Sequence, residues 1–111
     1  MDFEIIQHSN GSVVVSKAAK LTALNANELK EAFHSLNKGN VNSIVLDLTE
    51  TKYCDSSGLS AVLLGNRLCK DTNGKFILAG LQPTVLKVIQ IAQLDKVLQI
   101  FENQEEALKT L

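Results

Sequence analysis

The residues best suited to chemistry form one consecutive run: Asp55, Ser56, Ser57, Gly58 and Leu59. They follow a strongly apolar stretch and open a longer one. Two hydroxyls therefore lie where a strand hands over to a helix, with a carboxylate before them and a glycine after. The first N–H groups of a helix lack partners within it and carry a partial positive charge, so this point accommodates a negative group. Serine in such a place either caps the helix through its side-chain oxygen or accepts a phosphoryl group. The residues alone leave both roles open for Ser56 and Ser57.

Other reactive side chains are sparse. Cys54 and Cys69 each sit inside an apolar segment, form no CxxC pair and have no clustered histidines. That pattern argues against zinc or a redox motif and for reduced, buried thiols. Cys54, next to the Asp-Ser-Ser run, retains scope for incidental reactivity. His8 falls on the first strand and His34 on the first helix, and neither is placed by sequence as a base for Ser56. The Gly-x-Ser-x-Gly elbow of hydrolases is absent, as are P-loop and dinucleotide glycine patterns. The expectation is a protein that is not an enzyme and needs no metal or cofactor.

Charge and composition narrow the partners. The chain has 11 basic and 12 acidic residues, interleaved, for a net charge of −1. A nucleic-acid binder would carry a basic face, and with no tryptophan and one tyrosine there is no stacking platform either. No apolar run reaches the length of a membrane span. The start of the chain, with Asp2 and Glu4 before a short apolar segment, does not read as a signal peptide. A cytoplasmic protein without membrane insertion is expected. At 111 residues with 45% apolar side chains, a single domain over 1–111 with its own core is expected.

The elements that must position the run follow from periodicity. Phe3 to Gln7 and Val13 to Val15 read as strands of a hairpin around Ser9-Asn10-Gly11. Asn25 with Glu28 matches a capping box, and Leu29, Ala32, Phe33 and Leu36 form one face of a helix closed by Lys38 and Gly39. Ile44 to Leu48 is a short, nearly continuous apolar strand interrupted at Asp47, as expected for one covered on both faces. From Leu59 to Leu68 apolar residues wrap much of a helix. Either the fold covers both flanks or part of that surface is kept for a partner. Asn73-Gly74 marks a turn and Lys75 to Ala79 another buried strand. Pro83 opens a helix whose inward face is Val85, Val88, Ile89 and Ala92. Val97 to Phe101 is a last strand, and Glu105 and Glu106 suit the first turn of a helix ending at Leu111. The order β-β-α-β-α-β-α-β-α predicts an α/β fold with a mostly parallel sheet and right-handed crossovers.

This order, together with Asp55-Ser56-Ser57-Gly58-Leu59, Leu78-Ala79-Gly80, the Pro83 helix and the Leu94–Phe101 segment, resembles the STAS domain family. The resemblance spans essentially the whole chain, and a free-standing chain of this length looks like the bacterial anti-sigma factor antagonist branch rather than a transporter tail. It implies that Ser56 is phosphorylated by a partner that is both anti-sigma factor and serine kinase. A serine phosphatase would reverse the modification. Ser57 is then expected to cap the helix, and Thr22, Asp55, Ser57, Gly58 and Leu59 to contribute to partner binding. The chain departs from the family at Ala19-Lys20-Leu21-Thr22, where antagonists carry a Gly-Glu-Leu-Asp-like segment. Thr22 replaces a carboxylate that helps partner recognition, and Lys20 reverses a charge. The alternative implied by these departures is a non-switching STAS subunit of another assembly, such as a lipid-transport complex.

Overall fold

The computed structural model describes residues 2–111. Strands β1 (Phe3–His8) and β2 (Gly11–Ser16) pair antiparallel, closing at His8 and Gly11 around Ser9 and Asn10. After the short β3 (Lys20–Leu21) come α1 (Ala26–Lys38), β4 (Ile44–Asp47) and the short β5 (Tyr53–Cys54). Then follow α2 (Ser56–Asp71), β6 (Phe76–Ala79), α3 (Pro83–Ile91), β7 (Gln99–Phe101) and α4 (Gln104–Leu108). The main sheet has the order β1-β2-β4-β6-β7, and every pairing beyond the hairpin is parallel. The expected α/β fold with a mostly parallel sheet is thus observed.

Why the central strands read as nearly continuous apolar runs is visible in their alternation. Side chains of a strand point to opposite faces in turn. Val14, Ile44, Leu46, Phe76 and Leu78 enter one apolar layer with Leu29, Phe33 and Leu36 of α1, Ala61 and Val62 of α2, and Val85 and Ile89 of α3. Val13, Val45, Ile77 and Ala79 enter a second layer beneath Ala107 and Leu108 of α4. Helices cover both faces, so β4 and β6 are apolar on both, save for Asp47 at the end of β4, whose buried carboxylate accepts from Gln104 Nε2 of α4 at 3.0 Å and from Thr49 N at 2.9 Å.

Several local expectations need correction. The short pair β3–β5 was not foreseen, because two-residue strands show no periodicity; it forms a separate two-stranded parallel sheet. The Asn25–Glu28 capping box does not form: Asn25 makes no side-chain cap bond to α1. Its Oδ1 instead accepts from Thr22 N at 3.0 Å, and its Nδ2 donates to Lys20 O at 2.9 Å, so Asn25 ties the helix start back to β3. Ala92 is exposed rather than inward, since α3 ends at Ile91 and Gln93, with φ +60°, redirects the chain into a short 3-10 turn over Leu94–Lys96. Beyond that turn the last strand begins at Gln99, and the final helix stops at Leu108.

Candidate functional site

The site is assembled from the end of β2 outward. Thr51 is fully buried in the loop after β4; its hydroxyl donates to Ala18 O at 2.8 Å and lies 2.7 Å from Ser16 Oγ. Lys52 N donates to Ala19 O at 2.8 Å, which aligns β5 on β3 in the register Lys20–Tyr53 and Leu21–Cys54. The ladder runs one step further, because Asp55 N donates to Leu21 O at 3.1 Å. The backbone hydrogen bonds of β3 thus fix where α2 starts.

Asp55, not Ser57, caps α2. Its backbone is extended (φ −99°, ψ −172°), and its Oδ1 accepts from Gly58 N at 3.0 Å while its carbonyl accepts from Leu59 N at 2.9 Å. A cap residue stands just outside the helix, and Ser57 already lies within its first turn, where its hydroxyl makes no hydrogen bond among the described residues. Ser56, the first helical residue, is exposed, and its hydroxyl makes no hydrogen bond among the described residues. Ser57 and Leu59 are half-buried.

Gly58 is buried and presents no side chain outward. A Cβ there would lie 2.5 Å from Leu21 O and 2.7 Å from Cys54 Sγ, so the glycine lets the first turn of α2 press directly onto β3 and β5. Its part in the site is to hold the motif in place. Thr22 follows Leu21, so the same ladder brings it beside the cap. It is half-buried, and its hydroxyl accepts from Leu24 N at 3.2 Å, closing a local turn of the kind that Ser and Thr favour. Leu24, at the tip of that turn, is 98% exposed. Lys20 is exposed as well.

Two open grooves flank Ser56. One, of about 600 Å³, has an apolar floor of Leu59, Leu63 and Leu64 from α2 with Leu94, and a polar rim of Lys30, Ser60 and Arg67. The other, of about 390 Å³, lies between α1 and α2 along Ala26, Asn27, Lys30, Ser57 and Ser60. The circumference of α2 is therefore divided: Ala61, Val62, Gly65 and Cys69 enter the core, whereas Leu59, Leu63 and Leu64 line the groove. Lys30 and Arg67 are site residues that sequence reading missed. Each stands on the polar side of an amphipathic helix, where nothing in the periodicity separates a groove-lining cation from any solvated one.

The two cysteines are free and buried. Burial pushes the Cys54 thiol up to about 11, with the neighbouring Asp55 charge adding to the effect, and burial likewise raises Cys69 to about 11. Incidental reactivity at Cys54 is thus opposed by its surroundings, because the thiolate is the nucleophile. His8 and His34 are exposed and line neither groove beside Ser56. Among the described residues there is no cluster of His, Cys, Asp and Glu able to hold a metal ion, and no helix is long and apolar enough to cross a membrane.

The chain thus presents a serine in the first turn of a helix, on a mostly parallel α/β sheet with helices on both faces. Residues 4–107 match the family model of the STAS domain, and the chain belongs to that family. It is 23% identical over 107 residues to an anti-sigma F factor antagonist of Paenibacillus polymyxa, covering 96% of this chain and 92% of that protein. Its fold matches an anti-sigma-factor antagonist (STAS) domain protein of Planctomyces limnophilus with a TM-score of 0.90 at 19% identity, over 99% of this chain and 97% of the other. The Bacillus cell fate determinant SpoIIAA in its phosphorylated form matches with a TM-score of 0.77 at 23% identity, over 97% of both chains.

Proposed function

We propose that this chain is an anti-sigma factor antagonist, a regulatory binding protein switched by phosphorylation of Ser56. The unmodified protein binds a partner that is both anti-sigma factor and serine kinase, and so releases a sigma factor. Phosphorylation by that partner ends the binding, and a serine phosphatase restores it. The observation that carries this reading is the exposed, unbonded Ser56 at the start of α2, immediately after the capping carboxylate. The similarity to an anti-sigma F factor antagonist supports it. Asp55, Ser57, Leu59 and Thr22 frame the docking surface around that serine, and Gly58 holds it in place. No catalytic role for the chain itself is needed, and the cytoplasm is where such partners would meet.

The energetics favour a switch at the interface. Phosphorylation adds about −1.5 to −2 charge at Ser56. The helix start offsets part of this, by about 0.3–1 kcal/mol. A docked partner would have to desolvate the phosphate, and each ~1.4 kcal/mol lost there weakens binding tenfold. Incubation with the cognate kinase and ATP, followed by mass-spectrometric mapping, should place the phosphate on Ser56, and Ser56→Asp should weaken partner binding. An unmodified Ser56 would overturn the reading.

A second reading has its own support. Thr22 supplies no charge, its hydroxyl is engaged within its own turn, and Leu59, Leu63 and Leu64 offer an apolar contact. A non-switching STAS subunit of another assembly, such as a lipid-transport complex, would use that contact and leave Ser56 unmodified. Transporter genes beside this one, instead of kinase and phosphatase genes, would favour it.

A further inference from the structure

Lys30 is a cation with no partner among the described residues. It forms no salt bridge and no side-chain hydrogen bond among the described residues, although it is only half exposed. Its own helix supplies no carboxylate three or four residues away: those positions are Ala26, Asn27, Phe33 and His34. It lines both grooves that flank Ser56, and no carboxylate lines either. The only other charge in them is Arg67, also without an ion pair among the described residues.

The helices run side by side in the same direction. Leu21, just before α1, lies against Gly58, while Phe33 lies against Gly65 near the middle of α2. Lys30, one turn before Phe33, is thereby placed beside the first half of α2. Helical side chains lean toward the N-terminus of their helix, which tilts Lys30 toward the end that carries Ser56. Arg67 is too remote: it stands eleven residues beyond Ser56 on the same helix, about 16 Å along the axis.

We propose that Lys30 is the intramolecular partner of phosphorylated Ser56, a positioning residue that holds the phosphate between α1 and α2 and keeps it dianionic. This rests on the reading that Ser56 carries the phosphate. The chemistry is ion pairing alone, with no bond made or broken beyond the phosphorylation itself. An ammonium favours the dianion over the monoanion and lowers the second phosphate pKa. Asp55, adjacent in sequence, acts in the opposite sense, but equally in every variant that retains it.

The experiment uses full-length protein with phosphoserine installed at position 56 during translation, so that the phosphate does not depend on any kinase. Phosphorus NMR titration reads its second pKa, which lies near 6 for an unperturbed phosphoserine. Lys30→Gln and Lys30→Met should each raise that value by about half a unit or more, roughly a threefold change in proton affinity. Lys30→Arg should restore it, and Arg67→Gln should leave it unchanged. Two replacements of different shape separate the lost charge from any packing defect, and circular dichroism checks the fold of each. Identical titrations for the wild type and both neutral variants would overturn the pairing, as would an equal shift from Arg67→Gln. Failure of the switch itself would appear elsewhere, as an unmodified Ser56 after kinase treatment.

Discussion

Replacing Asp55 separates the structural work of the motif from its regulatory work. The carboxylate accepts from Gly58 N at 3.0 Å, and Gly58 is buried, so no water replaces the bond once the side chain is gone. Losing an N-cap costs about 1 kcal/mol, within a range of about 0.5–2, and stranding a buried donor costs about 1–3. These describe one bond and do not add, so about 2 kcal/mol is expected for Asp55→Ala. Asp55→Asn keeps an equally good cap and gives up only the charge at the helix start, about 0.3–1 kcal/mol. Ser57→Ala removes a hydroxyl without a hydrogen bond and gains helix propensity, so it should fall within about 0.5 kcal/mol of wild type. Urea unfolding followed by circular dichroism distinguishes the three. With a slope of about 1–3 kcal/mol per molar, Asp55→Ala should lower the midpoint by about 1 M and Ser57→Ala by almost nothing. The reasoning fails if Ser57→Ala is the costly variant, or if Asp55→Asn is as damaging as Asp55→Ala.

Four further outcomes follow from the same contacts. Gly58→Ala places a methyl group against Leu21 O and Cys54 Sγ; overpacking costs about 1–3 kcal/mol, more than the gain of up to ~1 from helix propensity, so the urea midpoint should fall. Thr51→Val strands Ser16 Oγ and Ala18 O in a fully buried site and should cost about 1–3 kcal/mol by the same measurement, a loss absent if water reaches the loop. Both thiols have a folded pKa of about 11 against an ordinary 9.0, so their protonated forms are favoured by folding. Their contribution is fully present below pH 9 and lost as pH rises to about 11; in Cys54→Ala/Cys69→Ala this decline should be shallower, and an unchanged pH profile would contradict it. Thr22→Asp should leave stability within about 0.5 kcal/mol, because a carboxylate can accept from Leu24 N as the hydroxyl does. Any gain in affinity for an anti-sigma kinase, measured by calorimetry, would then belong to the restored charge.

What the sequence made legible was what repeats. Val13 to Val15, Ile44 to Leu48 and Lys75 to Ala79 announce buried strands because both faces of the sheet are covered, and Leu29, Phe33 and Leu36 announce a helix face by their spacing. The start of α2 was legible to within two residues, with the cap assigned to Ser57 when Asp55 holds it. Both residue types make good caps, and the choice turns on which backbone is extended. That is decided by the bond from Asp55 N to Leu21 O, a contact between residues 34 apart in sequence. The β3–β5 pair was illegible for the same reason, since two residues on each side leave no period to read. Asn25 shows a local rule losing to a non-local one: its amide satisfies Thr22 N and Lys20 O in preference to the start of its own helix. The grooves were out of reach because Lys30, Arg67 and Leu94 come to line one groove with Ser56 only when α1, α2 and the turn after α3 are packed.

The placement of Ser56 also decides where a modification there could act. Its hydroxyl caps nothing and makes no hydrogen bond among the described residues, so a phosphoryl group would displace none of those contacts. Asp55 and Gly58 already satisfy the structural needs of the helix start between them. Fold and signal fall, with that switch, to different residues of one five-residue run: Asp55 and the buried Gly58 hold the helix start, and Ser56 between them is exposed. Under the proposed switch, this division lets charge at position 56 change by about two units without a comparable cost in stability. The free energy of modification is then expressed on the surface around Thr22, Leu24 and Leu59, where a partner must dock.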